Sequence, residues 1–392
     1  MSGAVSWLFL GKGESNSSIA SFLPGQKFAL SESDSQLEEF VWESGNWKKV
    51  SWVQGNLEQV DWSRFKDFKI IVSPGIDPRR NFFKHVKGQE VRELDLFCQY
   101  FKKPTLVITG TLGKSTFTTR LGEILRREMG GEAKVFVGGN LNPAAFRLFE
   151  THPHAELAVL EVSSFMAERL RSARFRWGVL LNLFPNHLDR YDSLENYYAE
   201  KIELMNRCDV SFRPETNPES QLELLRNVAK FILGCEPKLS SFENLPSLPH
   251  RQELWVSPNK VCFVNDSKST TVQSTLAALQ EFGSRFSKIC LILGGKDKGD
   301  DFSRLISALR AHDRVGIYGK SQAQIFKMLE TWPGPKVCEL IFDDLVKRLI
   351  LNQSSEELIL LSPGATSLDQ FKNFEERGKR FWTLVGKTHT ID

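Results

Sequence analysis

The stretch Leu106-Val107-Ile108-Thr109-Gly110-Thr111-Leu112-Gly113-Lys114-Ser115-Thr116 carries an apolar run into a small-residue loop that closes on Gly-Lys-Ser-Thr. The pattern predicts a strand, then a turn, then a helix through the helix-forming residues Arg120 to Met129. Glycines let backbone N–H groups turn inward, and the N-terminus of the following helix favours negative charge, so the loop reads as a phosphate cradle. Gly110, Thr111, Leu112 and Gly113 would shape it, Lys114 would reach the terminal phosphates, and the hydroxyls of Ser115 and Thr116 would lie beside them, Ser115 as a magnesium ligand. ATP or GTP is the expected ligand. The G-x-x-x-x-G-K-[ST] pattern is incomplete, because Ile108 stands at its first glycine and Gly110 comes later. Gly-Lys-Ser also opens helices by chance, but the strand before it and the helix after it weigh against chance here.

Working outward, three blocks separate within an α/β pattern. Residues 1–98 begin with an apolar strand, Trp7 to Leu10, followed by the turn Gly11-Lys12-Gly13, helix-like residues, and the strand Lys69 to Val72 leading into Ser73-Pro74-Gly75. That is a short doubly wound, Rossmann-like unit. Its first turn half-matches a dinucleotide-type glycine pattern, with Asn16 where the third glycine belongs. Residues 99–249 hold the phosphate loop and the nearly all-apolar strands Leu157 to Leu160 and Gly178 to Leu181, as expected for a mainly parallel sheet covered on both faces. Polar residues gather at the strand ends: Glu161-Val162-Ser163-Ser164 after one, Asn182 and Pro185-Asn186-His187-Leu188-Asp189-Arg190 after the next. In open α/β sheets the ligand lies in that crevice, so Glu161 and His187 would face the side of Ser115, near a nucleotide-bound magnesium. Taken singly, His187 reads as a surface or capping histidine. Convergence of candidate ligands on one sheet edge is what argues for a metal.

Residues 250–392 alternate strand and helix again, a second Rossmann-like unit. Its strand ends are Asn265 to Thr270, Gly294 to Lys298, Gly319-Lys320-Ser321 and Ser362 to Ser367. One such end would be an ordinary turn, but four rich in small, hydroxyl or lysine residues outline an anion-binding cleft.

Composition limits the partners. The 392 residues are 41% hydrophobic and 25% charged with a net charge of +3, and acids and bases are interspersed, so no basic stripe for nucleic acid is present. The six cysteines are scattered without a Cys-x-x-Cys pair, which suits a reducing cytoplasm. The apolar run Trp7 to Leu10 is short for a signal-peptide core, and no run approaches membrane-spanning length, so no membrane insertion is expected.

Gly110-Thr111-x-Gly113-Lys114-Ser115-Thr116, Glu161-Val162-Ser163-Ser164-Phe165, Asn182 to Tyr191 with Lys201 following, Leu248-Pro249-His250-Arg251, Asn265-Asp266-Ser267-Lys268, Gly294-Gly295 and Ser367 to Gly378 together resemble the Mur ligases over most of the chain. The last two motifs resemble the branch that uses D-glutamate. The resemblance implies three domains, for a UDP-sugar, ATP and an amino acid, and an ADP-forming amide synthesis in peptidoglycan precursor formation through an acyl phosphate. It implies UDP-N-acetylmuramoyl-L-alanine and D-glutamate as substrates, ATP and Mg2+ as cofactors, and a monomer.

Carried onto this sequence, the resemblance assigns Gly13, Glu14, Ser15, Ser73, Pro74 and Gly75 to the uridine diphosphate, and Asn140 and Ser163 to the same substrate. It assigns Glu161, His187 and Ser115 to magnesium, together with Lys201 as the lysine that the family carbamylates. Arg251 and Asp266 would reach over the nucleotide, and Lys268, Thr270, Lys298, Ser367 and Phe374 would receive D-glutamate. Lys114, His187, Lys201 and Asn140 would form the catalytic set. Departures are Asn186, where the family carries an acid, and a short stretch from Cys208 to Leu248 without the family's adenine-contacting helix start. The competing readings are a sister ligase, such as a folylpolyglutamate synthetase or another Mur enzyme, and a non-catalytic nucleotide-binding regulator.

Overall fold

The computed structural model describes residues 5–33, 36–186, 190–213, 221–296, 299–353 and 357–386. Among the described residues, three separate sheets organise the chain. It folds as two compact units, Met1–Pro246 with the first two sheets and Ser247–Asp392 with the third. All six cysteines are unpaired. Among the described residues, no helix is long and apolar enough to cross a membrane.

The first sheet contains β1 (Ser6–Leu10), β2 (Gln26–Ser33), β3 (Gln36–Glu43), β4 (Asn46–Gln54) and β5 (Lys69–Val72), in the order β4-β3-β2-β1-β5. β1 lies parallel to β2 and β5, whereas β3 runs antiparallel to both of its neighbours. The helix-like residues after the first turn form the helix Glu14–Phe22, and the chain then makes a three-stranded meander that the sequence reading did not separate. Its β3–β4 turn sits on Ser44 (φ 51°) and Gly45 (φ 80°), two left-handed residues of the kind that tight hairpins use.

The second sheet holds β6 (Thr105–Thr109), β7 (Val135–Gly139), β8 (Leu157–Glu161), β9 (Phe175–Leu180) and β10 (Cys208–Phe212), all parallel, in the order β10-β9-β6-β8-β7. After β6 the chain crosses to one side and then returns to the other, so the strand order reverses at β6 and opens a crevice at its C-terminal end. The helix Lys114–Met129 buries Phe117, Leu121, Ile124 and Leu125 against Ile108, Val135, Val137 and Val159. Each of these side chains contributes roughly 1.5–3 kcal/mol by burial. Gly122 lies in mid-helix because a Cβ there would come within 2.3 Å of Val137 Cγ2, so a larger residue would push the helix off the sheet.

The third sheet contains β11 (Glu253–Val256), β12 (Cys262–Asn265), β13 (Lys288–Gly294), β14 (Arg314–Tyr318), β15 (Lys336–Cys338) and β16 (Glu357–Leu361), in the order β11-β12-β16-β13-β14-β15. Only β11 is antiparallel. Insertion of β16 between β12 and β13 gathers the ends at Asn265, Leu361 and Gly294 along one edge.

Candidate functional site

At the end of β6 the loop Gly110 to Gly113 is shaped from across the sheet by Asn182, beyond β9. Its Oδ1 accepts from the N–H groups of Thr111 (3.1 Å) and Leu112 (2.9 Å), and its Nδ2 donates to the Leu112 carbonyl (3.1 Å). Thr111 Oγ1 bonds the Phe184 backbone and the Tyr197 hydroxyl (3.1 Å), so the loop is tied to the segment just after β9 and to the helix Leu194–Asn206. Gly110 (φ 150°) and Gly113 (φ 78°) occupy backbone conformations that side chains rarely adopt. Gly113 caps the helix, whose first-turn N–H groups, those of Lys114, Ser115 and Thr116, lack acceptors within the helix and point out of its N-terminus. Ser115 is buried and Thr116 half-buried in that turn.

Two lysines converge on one carbonyl. Lys114 Nζ donates to the oxygens of Gly110 (2.9 Å) and Thr111 (3.0 Å), and Lys201 Nζ donates to Gly110 O (3.0 Å) from the helix Leu194–Asn206. Lys201 is 1% exposed. Burial pulls its ammonium far below the usual lysine range, the charge of Lys114 lowers it further, and that of Glu161 partly opposes both. Glu161 ends β8 and is itself buried. One of its oxygens accepts from Asn140 Nδ2 (2.6 Å), while Oε2 is enclosed with no hydrogen-bond partner. Gly139 allows this approach, since a Cβ there would lie 2.4 Å from the Glu161 carbonyl. A buried, half-satisfied carboxylate facing a phosphate loop fits a divalent cation. Among the described residues no three His, Cys, Asp or Glu side chains cluster as a metal-binding group.

In the first sheet, the loops after β1 and β5 lie against each other: Ser73 N–H donates to Leu10 O (2.9 Å), and a Cβ on Gly11 would meet Ser73 Cβ at 3.1 Å. Asn16 does more than replace a third glycine. It is buried and its Nδ2 closes the turn on the carbonyls of Leu10 (2.9 Å) and Gly11 (2.8 Å). Gly13 and Ser15 stand at the start of the helix, but the Glu14 carboxylate is turned to Arg147 Nε (2.8 Å), so its anionic head is neutralised.

Two buried arginines that sequence reading did not single out strap the Ser73-Pro74-Gly75 loop to the second sheet. Arg169 donates to Ile76 O (2.8 Å) and Glu90 (2.9 Å). Arg190 donates to Gly75 O (3.3 Å), pairs with Glu168 and lies over the Phe165 ring (3.9 Å). Beside Arg169 is a small pocket lined in part by Pro74, Arg92, Glu93 and Met166. Ser163 caps the short helix at its edge, accepting from Met166 N–H (3.2 Å).

In the second unit, Asp266 is 7% exposed. Its oxygens accept from Ser362 Oγ (2.9 Å) and Gln252 N–H (3.2 Å), next to Arg251. Burial outweighs these bonds and pushes the carboxyl up to about 7. Between pH 4 and 7 the native state therefore keeps a proton that the unfolded chain gives up, and stability falls as pH rises through that window. Urea midpoints of the wild type should fall more between pH 5 and pH 8 than those of Asp266→Asn. Equal slopes would contradict the assigned burial. Lys268 lies over the Phe374 ring (4.1 Å), Ser367 is buried and Thr270 half-buried nearby in sequence. His187 and Lys298 lie outside the described residues.

Residues 108–222 match the Mur ligase middle domain. The UDP-N-acetylmuramoylalanine–D-glutamate ligase of Chromohalobacter salexigens is 32% identical, covering 96% of this chain and 96% of that protein. Among solved structures, the UDP-N-acetylmuramate–alanine ligase of Thermotoga maritima is similar in fold with TM-score 0.58 at 14% identity, over 98% of this chain and 100% of that one. The MurF ligase of the same organism, in complex with ADP, gives TM-score 0.55 at 16% identity, over 82% and 90%. With a relative this similar along nearly the whole of both sequences, and with its phosphate loop inside the matched middle domain, the chain belongs to the Mur ligase family.

Proposed function

We propose that this chain joins D-glutamate to UDP-N-acetylmuramoyl-L-alanine at the expense of ATP, releasing ADP and phosphate. The observation that carries this reading is the convergence at the ends of β6 and β8. A phosphate loop, two lysines on the Gly110 carbonyl and a half-satisfied Glu161 held by Asn140 lie together there. A carboxylate oxygen of the nucleotide sugar attacks the γ-phosphorus and ADP leaves. The amine of D-glutamate then attacks the acyl carbon, phosphate leaves with the former carboxylate oxygen, and one proton is released.

Two anionic reactants repel each other, so the chain's own work is to gather them. The helix N-terminus and Lys114 bind and orient the triphosphate and stabilise charge that spreads over the transferring group. Asn140 and Ser163 orient the sugar-linked substrate, whose diphosphate rests on the N–H groups of Gly13, Glu14 and Ser15 and on the Ser73-Pro74-Gly75 loop. Arg251 and Asp266 serve the nucleotide, while Lys268, Thr270, Lys298, Ser367 and Phe374 receive D-glutamate. Glu161, Ser115, His187 and a carbamylated Lys201 would hold magnesium. When bound, that ion neutralises triphosphate charge.

The straps on the substrate loop have a measurable consequence. Arg169→Met should raise KM for the nucleotide sugar about tenfold, the worth of a lost charged hydrogen bond, with KM for ATP nearly unchanged. Equal changes in both would contradict the placement of the straps. The function itself is tested by phosphate release from ATP with UDP-N-acetylmuramoyl-L-alanine against D-glutamate, L-alanine, meso-diaminopimelate and L-lysine. Release dependent on D-glutamate supports the reading. Release dependent on another amino acid makes the chain a sister ligase, and ATP binding without turnover makes it a regulator.

A further inference from the structure

We infer that Arg377 is the positioning residue for amino-acid recognition: one buried guanidinium fixes the strand-end loops that carry Lys268, Ser367 and Phe374. The inference rests on the proposed reading of this unit as the D-glutamate site.

Arg377 lies in the helix Phe374–Leu384 and is 0% exposed. Its Nε donates to Ser267 Oγ (3.0 Å) and one terminal nitrogen to Ser267 O (2.7 Å). The other terminal nitrogen donates to the Tyr318 hydroxyl (3.0 Å) and Ala365 O (3.1 Å). Ser267 Oγ passes its own proton to Phe374 O (2.8 Å). A Cβ on Gly295 would come within 3.3 Å of the same terminal nitrogen, so the loop after β13 also packs on it. The ends of β12, β13, β14 and β16 thus meet on a single side chain.

Two of these contacts, Ser267 and Ala365, and the base of the helix itself sit close in sequence to residues assigned to the amino acid. Ser267 precedes Lys268, Ala365 stands two residues before Ser367, and Phe374 opens the arginine's own helix. Lysine cannot reproduce this planar fork, because an ammonium presents its donors from one point. Among the described residues the hydrogen-bond acceptors of Arg377 are neutral oxygens, and its charge also acts on the buried carboxyl of Asp266, so the fork serves to hold the loops in place.

The test is steady-state phosphate release by the full chain, wild type beside Arg377→Lys and Tyr318→Phe. Arg377→Lys keeps the charge and loses the fork; it should raise KM for D-glutamate at least about tenfold while KM for ATP stays within about twofold. Tyr318→Phe removes one acceptor and should raise KM for D-glutamate about threefold, which decides the matter if the lysine variant does not fold. Both KM values moving together, or a lowered Tm with an unchanged KM for D-glutamate, would mean a purely structural prop and overturn the inference. A wild type that ignores D-glutamate in the same assay would overturn the underlying reading, and this inference with it.

Discussion

Lys201→Ala is expected to lower kcat about a thousandfold, comparable to removing a preorganised charge-stabilising group, and short carboxylates such as formate or acetate are expected to restore part of the loss. The reason is the unusual setting of an amine. Lys201 is almost wholly buried, its nitrogen rests on the Gly110 carbonyl, and Lys114 donates to the same oxygen. Burial first, and then the like charge of Lys114, lower its affinity for a proton, which favours the uncharged amine. An uncharged amine can add carbon dioxide and lose a proton to give a carbamate, and on the proposed reading of Lys201 that step would turn a buried base into a carboxylate. Alanine removes the nitrogen on which that anion forms and leaves space that a small carboxylate can enter. An alanine variant as active as the wild type, or one indifferent to added carboxylates, would remove Lys201 from the metal site.

Lys114→Ala should cost a similar factor, about a thousandfold in kcat, with the fold intact. Lys114 Nζ folds back over its own loop at 2.9 Å from Gly110 O and 3.0 Å from Thr111 O, where the terminal phosphates are to be received. The loop's shape depends instead on Asn182, which holds the Thr111 and Leu112 N–H groups. The circular dichroism spectrum and Tm should therefore stay close to those of the wild type while turnover disappears. Activity within tenfold of the wild type would refute the phosphate-loop assignment.

The phosphate loop was legible because its signal is local: apolar strand, glycine turn and helix follow one another within a few residues, and the structure places them so. The strand ends of the third sheet were legible for the same reason. β2 to β4 were missed because the adjacent pairs Glu38-Glu39 and Lys48-Lys49 break the apolar–polar alternation that marks a strand, and the ion pair of Lys49 with Glu38 forms only across strands. The pairing of the Glu14 carboxylate with Arg147, 133 residues away, is likewise not legible from local sequence. Asn182 was visible as a polar strand end, but its grip on the loop spans 70 residues. Arg190 and Arg377 fall inside quoted motifs, but their partners, like those of Arg169, lie far off in sequence, so their roles were not legible there.

The central claim is that ATP phosphorylates the substrate carboxylate before the amine arrives. It is tested most directly by supplying UDP-N-acetylmuramoyl-L-alanine with its terminal carboxylate enriched in oxygen-18, together with ATP and D-glutamate, and analysing the released phosphate by mass. The account predicts one labelled oxygen in each phosphate released. Phosphate free of label, formed alongside the amide, would contradict it.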